Sequence, residues 1–159
     1  TGSTVIRTSE EGEKRWFFGG GLQTWKVKAE ESNGEFLLFE DSLANGKMTP
    51  LHCHPHADET FYLLEGEIML SIEGVEHRVG DGGLAMVPRG VPHAFLVTSR
   101  SARMLCLQTP GTAQPFFWAA SEPTTQTDNS GPVDFDRVRA AAEETGATQI
   151  LGPPPFQQP

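Results

Sequence analysis

Three histidines and one glutamate are spaced so that they could share a metal ion. His52 and His54 stand at i and i+2. On a β-strand that spacing puts both imidazoles on one face, a few ångströms apart. Glu59 lies across Pro55-His56-Ala57-Asp58, and its carboxylate returns to the same spot if that segment bends. His93 comes from a later segment behind Pro88-Arg89-Gly90-Val91-Pro92, whose prolines and glycine set a sharp entry. Three neutral imidazole nitrogens and one carboxylate oxygen suit one divalent transition metal, whether iron, manganese, nickel, cobalt or zinc. Such a set leaves coordination positions open, which fits Lewis-acid or oxygen chemistry better than structural zinc.

The remaining histidines and the thiols read differently. His56 falls outside this spacing and is at most a reserve donor. His77, beside Arg78 on a polar stretch, is expected at the surface. Cys53 sits between the two strand histidines, so alternation points it to the opposite face and an apolar, buried role. Cys106 is expected in the core. Two cysteines do not make a disulfide framework, and free thiols point to the cytoplasm.

Those residues need strands to hold them. Seventeen glycines and 12 prolines punctuate short apolar runs, the pattern of an all-β chain. Candidate strands are Leu22–Lys28, Glu35–Glu40, Lys47–His54, Thr60–Leu64, Glu67–Glu73, Glu76–Val79, Leu84–Val87, His93–Thr98 and Arg103–Thr109. Ile68, Leu70 and Ile72 alternate with Met69 and Ser71, as expected of a strand with one buried face. By the same parity Glu59, Phe61 and Leu63 share a face, as do His93, Phe95 and Val97. Met48, Met69 or Leu70, Met86, and Phe36 or Phe39 are further candidates for the wall. The interior so formed is apolar and aromatic with the metal as its polar anchor, which suits a small apolar or aromatic ligand. Phe61-Tyr62-Leu63-Leu64 is apolar on both faces, so N-terminal strands or a second subunit should cover its outer side.

The 159 residues suffice for one β domain, read as an N-terminal arm (1–15), a barrel or sandwich (16–112) and a C-terminal extension (113–159). The extension opens on Phe116-Phe117-Trp118, either closing the core or forming a lid over the mouth. A polar linker, Ser121–Gly131, follows. Asp134 then caps a helix that carries Phe135, Val138, Ala141, Ala142 and Thr145 on one side, and Gly146 ends it. Gly152–Pro159 can only be extended. A formal charge of −9 argues against a nucleic-acid groove or an anionic membrane surface. No apolar run reaches the length of a membrane span, and none reads as a signal peptide.

The spacing Gly46-(5)-His52-Cys53-His54-(4)-Glu59-(6)-Gly66 resembles the first cupin motif, and Gly82-(5)-Pro88-Arg89-Gly90-(2)-His93 resembles the second. The pattern departs at Val97, where the family often has asparagine, a position that does not ligate the metal. The C-terminal extension is similar to those of quercetin-dioxygenase-like single-cupin proteins. The resemblance implies a cupin jelly-roll barrel (a double-stranded β-helix), a metal held by His52, His54, Glu59 and His93, and a homodimer. It further implies a dioxygenase that takes a hydroxylated aromatic or flavonol-like substrate with dioxygen, Glu59 serving as ligand and as base. An oxygen-independent isomerase, lyase or cyclase on the same centre remains open, as does a non-enzymatic small-molecule binder. No helix-turn-helix or basic helix favours a DNA-binding regulator.

Overall fold

Every second residue of Leu37–Ala44 (β3) is buried, so Leu37, Phe39, Asp41 and Leu43 face inward. The same alternation shapes the other strands of the computed structural model, which describes residues 2–17, 19–124 and 132–156. In chain order they are Glu13–Phe17 (β1), Gly21–Val27 (β2), β3, Leu51–Cys53 (β4), Asp58–Glu65 (β5), Ile68–Ile72 (β6) and Val75–Val79 (β7). Leu84–Val87 (β8), His93–Val97 (β9), Ser101–Thr109 (β10), Glu122–Pro123 (β11) and Gln149–Gly152 (β12) complete the set, with helices Gln114–Ala120 (α1) and Phe135–Thr145 (α2).

Two antiparallel sheets result, one ordered β11-β1-β2-β3-β10-β5-β8 and the other β12-β4-β9-β6-β7. Their inward side chains meet in a single core: Phe39, Phe61, Leu63 and Met104 from the first, Ile68, Leu70, Phe95 and Val97 from the second. This is the jelly-roll architecture expected from the sequence, and the strand spacing carries it. Gly66 shows why a turn position is restricted. Its φ is +96°, and a Cβ there would lie 2.7 Å from the Ala102 Cα and also meet the Ser101 carbonyl.

Several expectations change. Lys47–His54 is not one strand: Met48 bridges Leu96, and β4 begins at Leu51, after Pro50, which has no N–H to pair. β1 begins at Glu13, inside the segment read as an arm. β11 pairs with β1 from inside the segment read as a linker, while 125–131 lies outside the described residues. β12 was not foreseen; it lies along β4. The aromatic run Phe116-Phe117-Trp118 is helical, and Phe116 and Phe117 pack into the core. Asp134 does cap α2, accepting from the Arg137 N–H, and Gly146 ends it at φ 65°. Beyond β12 the described residues to Phe156 form neither helix nor strand and bend at Pro153 and Phe156, and 157–159 lies outside the described residues.

Met86 is not part of the wall. It is 53% exposed, because Ala85 and Val87 take the inward parity of β8. Leu70 and Phe39 face inward, rather than Met69 and Phe36. The N-terminal strands do not cover the outer face of β5, since they flank β3 on the far side of β10. Tyr62 therefore remains 41% exposed, beside the exposed Leu64 and Leu84. Among the described residues, no helix is long and apolar enough to cross a membrane.

Candidate metal centre

Three elements converge on the four predicted donors. His52, on β4, pairs directly across from His93, on β9. His54 follows the end of β4, and Glu59 is the second residue of β5. The ring centroids are 4.3 Å apart for His52 and His93, 5.1 Å for His52 and His54, and 5.4 Å for His54 and His93. One donor atom from each of the four, Glu59 included, lies within 4.8 Å of every other. All four residues are buried. His56 and His77 are exposed and stand apart from this group. Cys53 faces away, its Sγ 3.4 Å from the Gln149 Oε1.

The far side of each imidazole is held. His52 Nδ1 is 2.8 Å from the Pro50 carbonyl, and His93 Nδ1 is 2.9 Å from the Val91 carbonyl. A carbonyl oxygen can only accept, so both rings carry their proton on Nδ1 and turn Nε2 toward the group. His54 Nδ1 is 3.0 Å from the Thr148 hydroxyl. His54 Nε2 is buried without a hydrogen-bond partner, although the Glu59 Oε2 lies 3.4 Å away. The distance qualifies but the alignment does not. A buried orphan lone pair is costly, and one aimed among two further imidazoles and a carboxylate fits a cation. The donor set therefore fits a divalent transition metal.

Thr148 had no signature in the sequence, because only the pairing of β12 with β4 brings it to His54. Thr148→Val keeps the shape and removes the hydroxyl. It is expected to weaken metal affinity about 10- to 100-fold, the usual effect of losing such an orienting partner. Competition against a chromophoric chelator reads this directly, and an unchanged affinity would show that packing alone orients His54.

Glu59 is the most connected of the four. Its Oε1 is 2.9 Å from the His93 Nε2, and its Oε2 is 3.4 Å from the Cys106 Sγ and accepts from the Gln108 side-chain amide. Burial alone would push this carboxyl up, but the His54 and His93 imidazoles hold it well below the ordinary carboxylate range. Burial, with His93 and His54 beside it, pushes His52 well below the ordinary imidazole value and keeps it neutral. Burial lowers His93 too, yet the Glu59 carboxylate outweighs it and raises His93. Burial, aided by Glu59 and Asp41, pushes the Cys106 thiol well up, so it stays protonated.

Gln108 is fully buried and pairs across from Glu59. It shares the inward parity of Met104 and Cys106, and of these the sequence pointed only to Cys106; nothing local marked Gln108 as the partner of Glu59. The group opens onto a cavity of about 60 Å³, walled by Phe39, Phe61, Phe95, Phe116 and Phe117. At about 10–15 Å³ per water, that is space for a handful of waters.

The family model described as a cupin domain matches residues 39–108. The quercetin 2,3-dioxygenase of Bacillus subtilis is 28% identical over 118 residues, which are 74% of this chain and 35% of that protein. A germin-like protein 1-2 of Oryza sativa subsp. japonica is 34% identical over 84 residues, 47% of this chain and 38% of that one. The chain thus spans little more than a third of the length of these curated relatives. An RmlC-like cupin of Shewanella frigidimarina superposes with a TM-score of 0.60 at 20% identity, over 68% of this chain and 92% of the other. With both motifs assembled around four buried donors, the chain carries a cupin domain over residues 39–108 and resembles the quercetin-dioxygenase-like cupins.

Proposed function

We propose that this cupin is a metal-dependent dioxygenase of a small hydroxylated aromatic, flavonol-like substrate. His52, His54, Glu59 and His93 hold one divalent transition metal, and Glu59 also acts as the base. The observation that carries the reading is the placement of three of these donors, His52, His54 and Glu59, in the lining of a cavity walled by phenylalanines, with His93 grouped beside them. The metal would supply Lewis acidity and access to dioxygen chemistry.

The chain's own residues do the rest. The phenyl groups of Phe39, Phe61, Phe95 and Phe117 give a planar ring apolar faces to pack against and leave little room for water. Glu59 Oε2 is held by Gln108, and Glu59 can accept the hydroxyl proton of a substrate seated within hydrogen-bond reach. A carboxylate takes a proton more readily from an acidic hydroxyl, an enol or a phenol, than from an alcohol. At about 60 Å³ the cavity is far below the few hundred Å³ usual for drug-sized ligands. A substrate with the bulk of a flavonol requires the α1 wall to move outward; a single hydroxylated ring asks less.

The test is oxygen uptake by chain loaded separately with iron, manganese, nickel and cobalt, given catechols and flavonols. Uptake matching substrate loss in loaded but not stripped protein supports the reading. Conversion without uptake would make the chain an oxygen-independent isomerase or lyase. Tight binding with no conversion would make it a binder.

A further inference from the structure

Two buried residues of opposite charge, one of them lining the cavity, are not used by the metal group. Asp41 lies on the inward face of β3, and Lys47 follows the turn that ends that strand. Both are buried, Lys47 at 4% exposure and Asp41 at 8%. The turn is built to send the lysine inward: Lys47 N–H donates to the Ala44 carbonyl, and Gly46 takes φ +82°. The Val97 N–H then donates to the Lys47 carbonyl and fixes the backbone against β9.

The pair is oriented. Lys47 lines the same cavity as His52, His54 and Glu59, whereas Asp41 does not. The ammonium sits 4.7 Å from the centroid of Phe17, another residue of that wall. Among the described residues lining the cavity, Lys47 is the one lysine or arginine. Buried opposite charges are weak evidence for stability, since apolar replacements of similar volume often serve as well. In an otherwise phenylalanine-rich wall, a buried cation is a recognition feature.

We propose that Lys47 is the second polar anchor for the substrate and selects a small molecule carrying an oxyanion, a carboxylate or an ionised enol or phenol, away from the oxygen that meets the metal group. The proposal rests on the reading of that group as the reaction centre and adds the substrate class. It also resolves a tension in composition. The formal charge of −9 disfavours an anionic ligand at long range, while Lys47 reverses that sign inside the cavity. Burial lowers the Lys47 ammonium and raises the Asp41 carboxyl, and each partly restores the charge of the other.

The experiment is calorimetric titration of nickel-loaded chain with 3-hydroxybenzoate and with 3-hydroxybenzamide, which match in shape and differ in charge. Wild type should prefer the carboxylate at least tenfold. Lys47→Met should lose that preference through weaker carboxylate binding, with the amide unchanged within about threefold, and Lys47→Arg should restore part of it. The double variant Asp41→Asn/Lys47→Met removes both charges and covers the case in which an uncompensated Asp41 unfolds the single variant. It should show the same loss of preference. Metal content and circular dichroism establish that each variant is folded and loaded. No charge preference in wild type, no binding of either probe, or a preference that survives removal of Lys47 would overturn the proposal. Loss of the preference together with absent oxygen uptake would keep Lys47 as the anchor and remove the dioxygenase reading instead.

Discussion

Glu59→Gln is expected to lower turnover by about 100-fold or more, the range for removing a positioned base, while most of the metal is retained. Glutamine has the shape of glutamate and keeps one oxygen able to ligate or to accept from the Gln108 amide. It cannot take a proton from substrate. Steady-state rates per bound metal, measured beside metal content by elemental mass spectrometry, separate the two roles. Equal loss of rate and metal would reduce Glu59 to a ligand. Glu59 sits at 3% exposure among His54, His93, Cys106 and Gln108, so a neutral replacement does not leave an unpaired charge in the core.

His93→Ala should abolish stoichiometric metal. About one ion per chain in wild type should fall to roughly a tenth or less, because a lost ligand costs more than the 10- to 100-fold of a lost orienting partner. The variant should also lose the rise in melting temperature that the metal confers on wild type, since binding to the folded state alone is what stabilises it. Elemental analysis and thermal denaturation with and without added metal check both parts. Full occupancy in the variant would remove His93 from the ligand set and leave its contacts to Val91 and Glu59 as structural ones.

Much of the placement of strands along the chain was legible because alternation is local. Phe61 and Leu63, or Phe95 and Val97, can be given a common face from their neighbours alone, whereas the run Phe36-Leu37-Leu38-Phe39 is apolar on both parities and left Phe36 or Phe39 open. Where local rules compete, alternation misleads. Pro50 cut the strand expected from Lys47 to His54, and Met86 fell on the outward parity of β8. Leu84, Tyr62 and Leu64 are apolar yet exposed, a pattern that alternation cannot anticipate. The helical Phe116-Phe117-Trp118 run resisted because α1 is short, and its apolar residues face Trp25 and Phe39 across the core.

By itself the sequence determined the donor types and the shared side taken by His52 and His54, since alternation acts within a few residues, whereas Glu59 and His93 come from other strands. Tertiary structure alone decided what surrounds them. Thr148 reaches His54 across 94 residues of chain, and Gln108 reaches Glu59 across 49. The inward turn of Lys47 depends on β9, whose Val97 N–H donates to its backbone carbonyl. Periodicity encodes which face a side chain takes; it carries no information on which distant strand that face will meet. That is settled only when the sheets close around a common core, and with it the tautomers, the held carboxylate and the charge within the cavity.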